Sequence, residues 1–381
     1  MIQFQKFKSH LLIVGLFFFI FCFANSVIFP QSKEHFIPNS LKDTNLNTLY
    51  SIDSNNCVIY INSDQDLNNY SFPGSGSEND PYRIENLSIS TTKDYGIYLE
   101  NTTTYVLIQN CFIYAHYRAI EIYNTTENTI TITNNTCTSD NYFGIFVGKS
   151  PYIKILKNII YNCYHAIEFN DSPLALIANN TLFDNICCIR VEYRSPYSRI
   201  LENNFTNNYE VIWLANSGGH FLIKDNLIVN NNFGILMTIT TGPYYPDHCS
   251  IIHNLIEGTN GYSIVIESNY NTIYHNSFVK NHLEGKSQAK DDGLNNVWYN
   301  QTLLEGNYWS DWWGLISYNI DGSAKSYDHY PSDLPFHATT TPLPKFFIGR
   351  VILRLTLGFS IPAIIMISFL IVKKLKKRDN T

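Results

Sequence analysis

Charge is scarce in this sequence: Asp, Glu, Lys and Arg make up 15% of its 381 residues, and methionine occurs 3 times. So little charge leaves Asn, Thr and Tyr, rather than Lys and Glu, to cover the solvent faces. Sustained i, i+3, i+4, i+7 spacing of apolar residues is missing between residues 96 and 281, which excludes a helical bundle or helical repeat there. No Gly-rich phosphate loop, nucleophile elbow or paired-cysteine zinc signature is present. The short-range marks of nucleotide binding, serine hydrolysis and structural zinc are therefore lacking. Neither His-x-His nor Cys-x-x-Cys occurs, and there is no Met-rich segment to take a soft metal.

What is present is a short pattern that keeps returning: a small residue, an apolar one, a variable one, another apolar one. It reads Gly96-Ile97-Tyr98-Leu99, Ala119-Ile120-Glu121-Ile122, Gly144-Ile145-Phe146-Val147 and Ala166-Ile167-Glu168-Phe169. It continues as Cys188-Ile189-Arg190-Val191, Val211-Ile212-Trp213-Leu214, Gly234-Ile235-Leu236-Met237 and Ser263-Ile264-Val265-Ile266. The starts fall 23, 25, 22, 22, 23, 23 and 29 residues apart. An Asn returns in phase with them, at Asn110, Asn135, Asn158, Asn180, Asn204, Asn226, Asn254 and Asn276. A period in the range of about twenty to fifty residues marks a repeat architecture.

The chemistry of the unit selects the architecture. Apolar residues two apart, as in Ile120/Ile122 and Ile145/Val147, give strand period with one face buried. A unit of about 23 residues holds two or three short strands joined by tight turns, one coil of a parallel β-helix. Coils stack about 4.8 Å apart, so a residue in fixed phase becomes a column. An Asn column can satisfy its own amides up and down the stack. The fold class expected is all-β, a parallel β-helix solenoid.

Other segments bracket the repeats. Lys6 and Lys8, an apolar run from Leu11 to Phe23 and the small-residue exit Ala24-Asn25-Ser26 make residues 1–26 a secretory signal peptide, with an uncleaved anchor as the alternative. Residues 27–56 are an aperiodic lead-in, 57–295 the repeats, 296–336 a C-terminal cap and 337–345 a Thr/Pro stalk. Residues 346–372 read as a transmembrane helix, uncharged from Leu355 to Val372, with Arg350 and Arg354 placed to snorkel. The basic tail 373–381, led by Lys373-Lys374-Leu375-Lys376-Lys377-Arg378, belongs on the cytoplasmic side and leaves the solenoid outside. From Val27 to Pro344 there are 16 Lys and Arg against 31 Asp and Glu. That acidic balance makes nucleic acid an unsuitable partner.

Two motifs carry a family resemblance. The stretch from Gly74 to Ile89, Gly-Ser-Gly-Ser-Glu-Asn-Asp-Pro-Tyr-Arg-Ile-Glu-Asn-Leu-Ser-Ile, resembles the opening motif of NosD-like, carbohydrate-binding-and-sugar-hydrolase repeat proteins. Gly306-Asn307-Tyr308-Trp309-Ser310-Asp311-Trp312 resembles their closing motif, of a type common on archaeal cell surfaces. The resemblance runs from about Cys57 to Pro331 and implies right-handed coiling. It implies little about activity, since the family mixes copper-site accessory proteins, sugar-acting enzymes and surface proteins. The closing motif usually runs on into an Asp/Gly-rich loop that suggests calcium, but only Asp321 and Asp328 remain here as oxygen ligands, too few for such a site.

Candidate sites follow from the columns. The outward strand positions carry Glu121, Tyr123, Glu168, Arg190, Glu192 and Trp213, a mixture of acids, an arginine and rings that a sugar chain could meet. The plainer reading is that Arg190 bridges Glu168 and Glu192 as a cross-strand salt bridge. His253 and His275 precede ladder asparagines in consecutive coils, so a transition metal could bridge them, with Asp247, His248 or His282 completing the set; otherwise they are two solvated histidines. Cys57, Cys111, Cys137, Cys163, Cys187, Cys188 and Cys249 form an odd set that fits buried small residues better than disulfides. N-glycosylation sequons stand at Asn69, Asn86, Asn101, Asn124, Asn134, Asn170, Asn204 and Asn300. The insertion from Thr240 to His248 lengthens one coil and should project from one face. Trp298, Trp309, Trp312 and Trp313 are material for the cap.

The expectation from sequence is therefore a membrane-tethered extracellular β-helix that binds or presents to extracellular polymer, with glycan as the expected ligand. No catalytic residue is assigned and no cofactor is required, while a metal ion stays open. A polysaccharide lyase or glycoside hydrolase on the same scaffold, and a copper-handling accessory protein, are the rival readings.

Overall fold

The structure, a computed structural model, describes residues 54–337 except 141, 241, 282–283 and 314–315. These belong to a compact unit that begins at Asp53. The signal segment, nearly all of the lead-in, the stalk beyond His337, the transmembrane helix and the basic tail lie outside the described residues. No helix among the described residues is long and apolar enough to cross a membrane.

The chain winds as a parallel β-helix of about nine turns, each coil giving one strand to each of three parallel sheets. The ten strands of sheet 1 start with Cys57–Ile61, Tyr95–Glu100 and Arg118–Tyr123 and end with Ala289–Asp291. Sheet 2 has nine strands, from Tyr82–Glu85 to Thr272–Tyr274, and sheet 3 has ten, from Ser88–Ser90 to Tyr308–Trp309. Sheet 3 thus takes its last strand from beyond residue 295, so the cap is partly built on the same lattice.

Alternation decides what fills the interior. In sheet 1 the inward column runs Ile59, Ile97, Ile120, Ile145, Ile167, Ile189, Ile212, Ile235 and Ile264, in register and buried. Sheet 2 has its own isoleucine column from Ile84 to Ile273. In sheet 3, Cys137 replaces an isoleucine between Ile113 and Ile160. Each such side chain is worth about 1.5–3 kcal/mol of burial, and β-branched residues suit the pleat.

The abundance of asparagine has two causes. One is the corners: non-glycine residues with left-handed backbone recur once per coil at several corner positions. One such column reads Asn86, Asn110, Asn134, Lys157, Asn179, Glu202, Asp225, His253 and His275, with φ between 54° and 59°. Asn tolerates that conformation because its short polar side chain bonds locally. The other is the buried ladder immediately after that position: Asn135, Asn158, Asn180, Asn203, Asn226, Asn254, Asn276 and Asn307. Each Oδ1 accepts the backbone N–H of the preceding ladder residue, as in Asn158 to Asn180 at 2.8 Å, and each Nδ2 donates to the next Oδ1 and to a carbonyl of the preceding coil.

Two of the asparagines expected in the ladder stand beside it. Asn110 is exposed at the left-handed corner, and Cys111 takes the ladder phase, its N–H donating to Asn135. Asn204 is exposed on the strand Asn204–Thr206, while its neighbour Asn203 is in the column. In an Asn-Asn pair, composition does not say which amide faces inward. A second ladder, Asn185, Asn208 and Asn231, runs along the corner before sheet 1 and had no counterpart in the sequence reading.

The ends are closed differently. A short helix, α1 (Asp64–Asn69), buries Leu67 against the first coils, and Asp64 accepts N–H groups of Thr103 and Thr104. At the other end Trp298, Trp309 and Trp312 are buried, but Trp313 is 68% exposed and lies outside the cap core expected for it. Asp291 sits fully buried where the coils before it place an apolar residue, and accepts from Trp298 Nε1, Asn296 Nδ2, Ser326 Oγ and its own loop. Those donors make a buried carboxylate tolerable.

Candidate functional site

The outward face of sheet 1 carries buried ion pairs. Arg118 donates to Glu121 at 2.5 Å, and its guanidinium lies 4.0 Å from the Phe146 ring centre and 4.8 Å from those of Tyr117 and Phe143. Two coils on, His165 Nδ1 pairs with Glu168, and Arg190 Nη1 donates to His165 Nε2 at 3.2 Å. Arginine only donates, so Nε2 is the acceptor, and Nδ1 holds the proton that His165 gives to Glu168. Arg190 also binds Glu192 and lies 4.3 Å over Trp213, whose indole N–H donates to Thr238.

These contacts alter the stripe inferred from the sequence. Glu121 and Glu168 do face away from the core, but they are only 4% and 7% exposed. Arg190 bridges Glu192 and reaches Glu168 through His165. Tyr123, Arg190, Glu192 and Trp213 remain part-exposed. Burial pushes Glu121 above the usual carboxylate range despite Arg118. Burial acts the same way on Glu168, but the hydrogen bond from His165 and the positive charges of Arg190 and Arg118 bring it below that range. Sequence reasoning missed Arg118 and His165, although Arg118-Ala119-Ile120-Glu121 and His165-Ala166-Ile167-Glu168 repeat one pattern. On a straight strand residues three apart face opposite sides; here the pair meets because the basic residue stands at the corner.

The second constellation lies at the corner between sheets 2 and 3. His253 and His275 occupy the left-handed corner in consecutive coils, with ring centres 4.9 Å apart. His253 Nε2 and His275 Nδ1 stand 3.2 Å apart, and His275 Nε2 is 2.8 Å from Glu305. A carboxylate accepts, so His275 holds its proton on Nε2 and turns the Nδ1 lone pair toward His253. Phe336 packs on both rings, and His337 comes within 6.3 Å of His253, centre to centre. A groove of ≈ 640 Å³ opens beside Glu305, lined also by His329, Tyr330, Asp333 and Phe336.

The partners expected for these histidines lie elsewhere. His248 belongs to a different corner column, stacked between His220 and Tyr270. Asp247 accepts the N–H of Asn269, and His282 lies outside the described residues. A left-handed corner recurs several times per coil, and the sequence does not show which corners adjoin.

A family model described as "Periplasmic copper-binding protein (NosD)" matches residues 85–314. The chain belongs to the NosD family. Among solved structures, a complex of XylC with xylose matches 54% of this chain and 45% of its own, at 16% identity and a TM-score of 0.38. The chain thus spans less than half the length of XylC. The A-module of the Azotobacter vinelandii mannuronan C-5 epimerase AlgE4 matches 63% of this chain and 81% of its own, at 10% identity and a TM-score of 0.39. No curated protein matches the sequence.

The copper in the NosD description can be tested against this chain's donors. Two nitrogens bound about 2.0–2.1 Å from one ion lie about 2.8–3.4 Å apart for angles between about 90° and 109°. The His253–His275 separation falls in that range, and Glu305 behind His275 is the carboxylate that orients a ligating imidazole. Among the described residues no three His, Cys, Asp or Glu groups already converge as ligands. The pair fits as two nitrogen donors. The cysteines do not fit: all seven are buried, and burial pushes Cys163 and Cys249 up to about 12. Asp321 accepts from Tyr262 and Ser287, and Asp328 from Asn307 and Trp309, so those carboxylates serve the cap.

Proposed function

We propose that this NosD-family β-helix works outside the cytoplasm as a metal-handling protein, holding Cu²⁺ at the His253–His275 corner. The observation that carries the reading is the pair of ring nitrogens 3.2 Å apart, one of them backed by Glu305. Imidazole suits Cu²⁺, Ni²⁺ and Zn²⁺, and Cu²⁺ binds such donors most strongly. Copper would supply a redox-capable Lewis acid; the chain's part is to aim two imidazoles from consecutive coils and fix one of them through a carboxylate. The periplasmic setting of the NosD family supports an extracytoplasmic location. The apolar stretch 355–372 and the basic run after it support a membrane tether. In the test, Cu²⁺ and Zn²⁺ are added to the full-length chain while its melting temperature is followed. Both should raise it, Cu²⁺ at lower concentration, and His253→Ala/His275→Ala should abolish the shift. An equal shift in the double variant would overturn the reading.

A second reading keeps the face of sheet 1 for an extracellular glycan. It is favoured by Arg190, Glu192 and Trp213, which remain part-exposed in neighbouring coils and join a ring to hydrogen-bonding groups, with Tyr123 part-exposed three coils before Arg190. Glu121 and Glu168 lie too deep to touch a polymer, which weighs against a lyase or hydrolase centred on them. Trp213→Ala should weaken binding on a polysaccharide panel without any product appearing; unchanged binding would remove this face.

A further inference from the structure

The inference rests on the metal reading of the His253–His275 corner and concerns what closes that site. The chain leaves the solenoid as a strap along sheet 3. Ser332 N–H donates to the Asn307 carbonyl at 2.8 Å, and Phe336 N–H donates to Ser277 Oγ at 2.8 Å. The Phe336 ring packs on Leu255, Val279 and Tyr308 and stands 4.7 Å from the His275 ring. This contact delivers the next residue, His337, beside His253.

His337 has an unresolved obligation. Its Nδ1 is buried and has no hydrogen-bond partner. Leaving a buried polar atom unpaired costs about 1–3 kcal/mol, so such an atom calls for an explanation. The His337 ring centre stands 6.3 Å from that of His253, whose Nε2 faces His275 Nδ1 at ligand spacing. Asp225, one coil earlier in the same corner column, pairs with Lys224 at 3.3 Å, and its charge acts on both His253 and His337. Two facing imidazoles, an unpartnered third nearby and the Glu305 carboxylate suit a divalent cation.

We propose that His337 is the third ligand, and that a Cu²⁺ or Zn²⁺ ion held by His253, His275 and His337 clasps the exit strap to the last coils. The three groups do not converge before the ion arrives, so the clasp forms on binding. Without metal the strap is held by the Phe336 ring and by hydrogen bonds that include those from the Ser332 and Phe336 N–H groups. With metal, His337 is tied to side chains 84 and 62 positions earlier in the chain. The site therefore couples metal occupancy to how firmly the solenoid grips the strap.

The test uses the full-length chain and its variants His337→Ala, His337→Phe, which keeps a ring in place, and His253→Ala/His275→Ala. Cu²⁺ affinity is measured by competition, bound imidazoles are counted by electron paramagnetic resonance, and chymotryptic cleavage at Phe336 is followed with and without Cu²⁺. Losing a partner behind a ligand weakens metal sites by about 10–100-fold, so losing a ligand should cost at least tenfold. Both His337 variants should show that loss, one imidazole fewer and no protection of Phe336 by metal. Wild-type affinity, imidazole count and protection in both His337 variants, with binding abolished in the double variant, would overturn the clasp and leave the metal reading standing. Wild-type binding in the double variant would overturn both.

Discussion

Asn276 and Asn307 are 31 residues apart, yet the backbone N–H of Asn276 donates to Asn307 Oδ1 at 3.0 Å and its Nδ2 reaches the same oxygen at 2.9 Å. The ladder thus leaves the repeats and enters the cap without interruption. Asp328 finishes it, Oδ2 accepting the Asn307 N–H at 2.7 Å. A carboxylate suits that end: the last amide needs an acceptor, and no further amide waits for a donor.

The ladder should be a main source of stability. Asn203 Oδ1 accepts from the Asn180 N–H and Nδ2, while its own Nδ2 donates to the Ile177 carbonyl and to Asn226. Asn203→Ala leaves several buried groups unpaired, at about 1–3 kcal/mol each. Urea unfolding should show a loss of roughly 3 kcal/mol or more, against a change within about 0.5 kcal/mol for the exposed neighbour in Asn204→Ala. Equal losses at the two positions would contradict the assignment of the column.

The two buried glutamates should impose opposite pH slopes. Glu168 lies below its unfolded value of about 4.3, so its stabilisation is complete above that pH and disappears as the pH falls through the folded value. Glu121 lies above the unfolded value; its contribution is complete below about pH 4.3 and is lost as the pH rises through the folded value. Unfolding free energies from pH 3 to 8 should therefore fall less steeply on the acid side in Glu168→Gln and flatten on the neutral side in Glu121→Gln. The same pH profile in both variants would show that the two sites do not differ as described.

Topology can be checked on intact cells. The apolar stretch 355–372 followed by Lys373-Lys374-Leu375-Lys376-Lys377-Arg378 predicts an inward tail and an outward solenoid. External protease should remove an epitope placed in the repeats and spare one placed after Lys373. Digestion of the tail epitope on sealed cells would reverse the orientation.

Asn170 shows how burial limits a sequence motif. It begins a glycosylation sequon, but it is 8% exposed and its Nδ2 donates to Glu168 at 3.2 Å. The motif was legible, and its inaccessibility was not. The same holds for Glu121 and Glu168, whose outward direction follows from strand alternation while their cover comes from neighbouring coils. Trp213 likewise has one ring face occupied by Arg190, a contact that follows from the register of adjacent strands.

By itself the sequence determined the coil, its strands, the inward isoleucine columns and the existence of an asparagine ladder. These are properties of a unit stacked on copies of itself: translation by one coil turns equal phase in the chain into contact in space. Only the tertiary structure decided which member of Asn203-Asn204 turns inward, how Arg118 and His165 swing over the glutamates three residues on, and which way Trp313 points. It alone brought Glu305 to His275 and His337 to the neighbourhood of His253. Corners, caps and the strap have no period, so their contacts are set by shape and hydrogen-bond demand among residues far apart in the chain, which no spacing records.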